Sequence, residues 1–180
     1  MKTLKASQAT AAAILVFAAV ASSSAQTRNW TMHNYPADRF SILLPSDPQI
    51  QTQNDPAGPS QMRSYMVDLG QGTAGVQIIR MGPGGWSKDP DTVLQDGKNG
   101  ALAQTKTHLV SEKKIALDGA PGLEFESENG TVHFRARIYI VGKAAYTVVE
   151  AYVIGKPFDH ATEFLDSFKL IAGEPAASQK

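Results

Sequence analysis

The sequence predicts an α+β fold, an antiparallel meander sheet flanked by helices. Three observations carry that reading. Apolar and polar residues alternate with a period of two in several segments separated by turn residues. Two other stretches repeat apolar residues at helical spacing, one opened by Asp89-Pro90 and one by Pro157. Two short turns between strands, Asn129-Gly130 and Gly142-Lys143, are hairpin signals that join neighbouring strands antiparallel.

Removing the first 25 of 180 residues leaves 155, the size of one domain. That leader is read from Lys2 and Lys5, the apolar run Ala11 to Ala21, and the small residues Ser23-Ser24-Ala25. Together they form the pattern of a secretory signal peptide. The run is about half the roughly 20 residues of a membrane-spanning helix, so no span is expected in the mature chain. The expected location is periplasmic or secreted. Residues 26–172 are assigned to a single domain and 173–180 to a flexible tail.

Composition excludes several chemistries. Basic and acidic residues number 17 each, and loss of Lys2 and Lys5 leaves a net charge of −2, which argues against a nucleic-acid footprint. With no cysteine there is no disulfide, thiolate metal site or cysteine nucleophile. His33, His108, His133 and His160 have no metal-ligand spacing, no glycine loop ends in Gly-Lys-Ser or Gly-Lys-Thr, and no Gly-x-Ser-x-Gly elbow occurs. No metal, cofactor or catalytic residue is assigned.

Along the chain, residues 26–39 read as polar and irregular, and Arg39-Phe40-Ser41-Ile42-Leu43-Leu44-Pro45 then reads as a short strand stopped by proline. Pro45 to Ser60 reads as a surface loop. Strands follow around Arg63 to Leu69 and Val76 to Met81. A helix from Asp89-Pro90 to about Ala103 buries Val93, Leu94, Ala101 and Leu102. Leu109 to Leu117 is a strand turned at Asp118-Gly119, and Leu123 to Glu126 begins the next. Val132 to Val141 alternates throughout, and Ala144 to Ile154 is its neighbour. A final helix from Pro157 presents Phe158, Ala161, Leu165 and Phe168.

Several segments in this order resemble the superfamily of PsbP-like domains. They are Arg39-Phe40-Ser41-Ile42-Leu43-Leu44-Pro45, Asp118-Gly119-Ala120-Pro121-Gly122, Arg137-Ile138-Tyr139-Ile140-Val141-Gly142 and Phe164-Leu165-Asp166-Ser167-Phe168-Lys169-Leu170. The resemblance spans roughly Phe40 to Leu170 and implies an α/β/α sandwich around an antiparallel sheet. It further implies a non-catalytic binding or assembly role, since the studied members act mainly in that way.

The candidate site comes from counting outward from two turns. With Asn129-Gly130 as a two-residue hairpin, Glu124 falls opposite Arg135 and Glu126 opposite His133. With Gly142-Lys143 as the second, Arg135 falls opposite Glu150 and His133 opposite Tyr152. Glu124, Glu126, His133, Arg135, Arg137, Tyr139, Glu150 and Tyr152 then share one face, opposite an apolar face of Phe125, Phe134, Ile138, Val149, Ala151 and Val153. Three readings follow: a solvated face whose charges set register, a docking patch for an unidentified envelope protein or small ligand, or a hydrolase acting on an extracellular polymer or ester with Glu124 and Glu150 as its acid/base pair. Arginine and tyrosine are enriched at protein anchors, which favours docking over catalysis. Arg135 between the two carboxylates is expected to lower both pKa values, which disfavours the hydrolase.

Overall fold

The computed structural model describes residues 29–55 and 58–172; the expected leader and tail lie outside the described residues. Five strands precede the first helix: β1 (Thr31–Tyr35), β2 (Phe40–Leu44), β3 (Gln49–Asn54), β4 (Gln61–Asp68) and β5 (Gly72–Arg80). Helix α1 (Pro90–Thr105) leads to β6 (His108–Leu117), β7 (Ala120–Glu128), β8 (Val132–Val141) and β9 (Ala144–Val153), then to α2 (Ala161–Asp166) and β10 (Lys169–Leu170).

Seven strands form one antiparallel sheet in the order β3-β4-β5-β9-β8-β7-β6, and β1-β2-β10 form a smaller one. α1 carries the chain from β5 in the middle of the large sheet to β6 at its far edge. The meander β6 to β9 then walks back until β9 pairs with β5. The α+β reading with antiparallel strands holds.

Alternation sorts side chains onto two buried faces. Leu123, Phe125, Phe134, Ala136, Ile138, Val149 and Ala151 pack with Leu94 and Ala101 of α1. On the opposite face Tyr65, Val67, Val76, Ile78, Tyr139, Tyr146 and Val148 pack with Phe40, Ile42 and Leu44 of β2 and with Phe164, Leu165 and Phe168. The Asp89 carboxylate accepts the Thr92 N–H at 3.0 Å, capping α1 as expected. Lys98, also buried on α1, pairs with Glu112 of β6.

The structure corrects the sequence reading in four places. β1 lies within a stretch expected to be irregular. β3 lies within an expected loop; all six of its residues are exposed, so it has no apolar period to read. No helix begins at Pro157: α2 spans six residues, and Phe158 and Phe168 flank it rather than belong to it. The fourth is the β7–β8 hairpin. Asn129 N–H donates to Val132 O, and Glu128 pairs with His133, so the two loop residues are Gly130 and Thr131. Asn129 is used differently from expectation: its Oδ1 accepts the N–H groups of Thr131 and Val132 at 3.2 and 3.0 Å. Gly130 supplies the positive φ, +81°.

Candidate functional site

The corrected turn slides β7 by two residues against β8. A one-residue slip would turn every side chain over, whereas a slip of two keeps the face and changes the partners. Glu126 therefore lies opposite Arg135, and Glu124 opposite Arg137. The β8–β9 register is the expected one, with Arg135 opposite Glu150 and His133 opposite Tyr152. The rows across three strands are Glu124-Arg137-Val148, Glu126-Arg135-Glu150 and Glu128-His133-Tyr152. All eight expected residues share one face, and Tyr139 lies beside Tyr146 in the next row.

That face is not a solvated one. β2, β10 and α2 cover its middle, and Tyr139, Glu124 and Glu150 are buried. Glu126, His133, Arg135, Arg137 and Tyr152 remain half-buried along its border.

Glu124 is the hub of the charges. Its Oε1 accepts from Arg135 Nη2 at 2.9 Å and pairs with Lys113 Nζ at 3.0 Å, while Oε2 accepts from Arg137 Nε at 2.5 Å. Burial opposes ionisation of this carboxyl, but the donors from Arg135, Arg137 and Lys113 outweigh it and hold the pKa down at about 2. Arg137 also reaches Asp166 on α2 at 2.7 Å, tying the helix to the sheet. Arg135 Nε lies 3.4 Å from Glu126 Oε1 without a hydrogen bond.

Glu150 behaves in the opposite way. Its Oε2 is buried with no hydrogen-bond partner. Burial raises its pKa to about 7, against a smaller lowering by the charges of Arg135 and Arg137. The expectation that Arg135 lowers both carboxyl groups thus fails at Glu150. A cation one strand away does not replace the water that this carboxylate has lost.

A second element of the border was not anticipated from sequence. His133 stacks on Tyr152 with ring centroids 5.0 Å apart, and Phe158 meets the Tyr152 ring edge-on at 6.1 Å. Trp30 stacks on Phe158 at 5.8 Å, and His160 tilts against Trp30 at 5.7 Å. A continuous aromatic row therefore runs from β8 to the segment before α2, beside Glu126 and Arg135. Its signal was present as Trp30 and Phe158, residues far apart in sequence with no shared period.

Elsewhere, a shallow groove of about 320 Å³ lies between the start of α1 and β6–β7, lined by Asp91, Leu94, Gln95, Lys114 and Leu123. None of the eight site residues lines it. Among the described residues no group of three or more His, Cys, Asp or Glu is placed to hold a metal ion, and no helix is long and apolar enough to cross a membrane.

Comparison with solved structures bears on the fold. Cyanobacterial PsbP (CyanoP) from Synechocystis sp. PCC 6803 superposes with a TM-score of 0.51 at 11% identity, covering 83% of this chain and 97% of that one. The fold is PsbP-like. A protein of unknown function from Pseudomonas aeruginosa aligns over 84% of this chain and 97% of its own, at 13% identity and a TM-score of 0.40. No family model and no curated protein matches the chain.

Proposed function

We propose that this PsbP-like chain is a secreted or periplasmic, non-catalytic accessory protein, built as an α/β/α sandwich, that docks an envelope protein through the border of its charged sheet face. The observation that carries this reading is the aromatic row His133-Tyr152-Phe158-Trp30 lying half-buried beside Arg135 and Glu126. Tryptophan, tyrosine and arginine bring large contact area and directional donors, and they dominate the energetics of protein interfaces. Beneath them, buried Glu124 and half-buried Arg137 hold the border in place. The leader pattern supports export, and the fold supports an accessory role.

The hydrolase alternative draws on the opposed carboxyl groups, since one low and one raised pKa is how acid/base pairs divide their work. Accessibility weighs against it. Glu150 is 2% exposed, and Glu124 is occupied by three cationic side chains.

Cross-linking in envelope extract tests the docking reading. Tyr152→Ser combined with His133→Ala is expected to remove the captured partner while leaving the thermal midpoint within a few degrees. Identical capture by the variant would overturn the reading.

A further inference from the structure

The dipeptide Asn-Gly occurs twice in the sequence, as Asn99-Gly100 and Asn129-Gly130. An asparagine carboxamide is open to attack by the next main-chain nitrogen, and a following glycine puts no Cβ in the way of that approach. All four residues are exposed, and a Cβ built on either glycine would meet nothing within 4 Å, so neither solvent access nor crowding separates the two sites. The backbone does.

Asn99 and Gly100 lie inside α1. There the Cα–Cβ bond of Asn99 tilts toward the helix N-terminus, away from the amide that follows it. The Gly100 N–H is in turn committed to the carbonyl four residues back, that of Asp96. Attack on the Asn99 carboxamide requires the helix to open first.

Asn129 and Gly130 are arranged the other way round. The Asn129 side chain folds forward over the turn between β7 and β8, where its Oδ1 accepts the N–H groups of Thr131 and Val132 at 3.2 and 3.0 Å. The carboxamide carbon is thereby brought toward the Gly130 amide, which lies in the chain between Asn129 and those two donors. The Gly130 N–H itself, in a residue at φ +81°, donates to no group among the described residues. The two donors also polarise the carboxamide and stand where negative charge develops on attack, the arrangement that stabilises a tetrahedral oxyanion.

We propose that Asn129 is a self-modification site, cyclising onto the Gly130 nitrogen in the folded protein while Asn99 does not. Solvent base removes the Gly130 amide proton. The nitrogen then bonds to Asn129 Cγ, and the carbonyl electron pair moves onto Oδ1 between its two donors. Collapse of that intermediate restores the carbonyl, breaks the Cγ–Nδ2 bond and releases Nδ2, with a proton from water, as ammonia. The product is a cyclic succinimide, which water opens in one of two ways. Cleavage of the Cγ–N bond leaves aspartate at position 129, and cleavage of the main-chain carbonyl–nitrogen bond leaves isoaspartate, with the chain routed through Cγ. Either product adds a negative charge beside Glu128, which faces His133. Isoaspartate also lengthens the main chain inside the turn that the Asn129 N–H closes on Val132 O. The site does not depend on whether the charged border docks a partner.

Peptide mapping by mass spectrometry tests this on the intact protein, incubated in buffer at pH 6 and pH 8 and, in parallel, in urea. The mass change of an amide becoming an acid reports conversion, and electron-transfer fragmentation separates aspartate from isoaspartate. In buffer, Asn129 should convert at least about tenfold faster than Asn99, the ratio given by about 1.4 kcal/mol of barrier, and faster at pH 8 than at pH 6. In urea, where turn and helix are both lost, the two rates should converge. Equal rates at the two sites in buffer, a difference that persists in urea, or an Asn129 that stays intact in buffer while the unfolded chain converts would overturn the proposal.

Discussion

Glu124 and Glu150 sit on the two strands flanking β8, both within the field of Arg135, yet their carboxyl groups are pushed in opposite directions, to about 2 and about 7. The difference lies in hydrogen bonds rather than charge. Glu124 accepts directly from Arg135 and Arg137, while Glu150 Oε2 accepts from nothing. Direct donors offset the lost hydration of a buried carboxylate, and a nearby cation without that contact does not.

Stability should therefore fall as pH rises toward and beyond neutrality. The folded chain binds the Glu150 proton more tightly than the unfolded chain, whose ordinary value is 4.5. The contribution is complete below about pH 4.5 and is lost as pH rises through about 7. Ionised Glu150 then costs on the order of 3 kcal/mol. Glu150→Gln should flatten this part of the curve and raise the urea midpoint at pH 8. An unchanged dependence between pH 5 and 8 in that variant would assign the titration elsewhere.

Glu124 has the opposite sign. Its folded value lies below the unfolded one, so its contribution is present above about pH 4.5 and is lost as pH falls through about 2. Glu124→Gln leaves Arg135, Arg137 and Lys113 facing one another and should cost about 3 kcal/mol or more at pH 7, the scale for breaking a buried ion pair from one side. Thermal unfolding at pH 7 measures it. Because Arg137 also anchors Asp166, hydrogen exchange should quicken in α2 of this variant before it does in β4 or β5.

The β7–β8 turn separates the expected register from the observed one. Glu126 and Arg135 face each other, and Asn129 N–H bonds to Val132 O, so alternation makes 126/135 a closely spaced, non-hydrogen-bonded pair. Cysteines at 126 and 135 should oxidise readily to a disulfide, and cysteines at 126 and 133 should not. Gly130→Ala forces a side chain into φ +81° and should cost about 1 kcal/mol, read from the denaturant midpoint.

Legibility followed the range of the interactions that decide each feature. β8 alternates cleanly, and Gly142-Lys143 fixes its pairing with β9, so that half of the site could be counted from the sequence. β3 could not, because Gln49 to Asn54 form an exposed edge held by main-chain bonds that leave no apolar trace. Phe158 and Phe168 announced burial correctly and helix wrongly, since a stripe of apolar residues records what must be covered rather than the backbone that covers it. Burial of Glu124 and Glu150 depends on β2 and α2, which are distant along the chain. The same distance hid Asp38, buried between β1 and β2 and bonded to Arg63, Tyr65 and Arg80, which are 25, 27 and 42 residues away.

Gly75 tests how closely the two central strands are matched. It pairs with Met66 of β4 and Val149 of β9 in the interior of the sheet, where glycine is otherwise unfavourable. An added Cβ would come within 2.0 Å of the Tyr65 carbonyl oxygen and 2.7 Å of Met66 Sδ. The sulfur can move aside, but the carbonyl belongs to the β4–β5 ladder and cannot. Gly75→Ala must therefore displace β4 and, with it, Tyr65 and Arg63, two of the groups that hold Asp38. It should cost about 3 kcal/mol, the upper range of overpacking, and the loss should appear in thermal unfolding together with altered amide shifts at Asp38. A variant as stable as the parent would show that β4 has room the packing does not reveal.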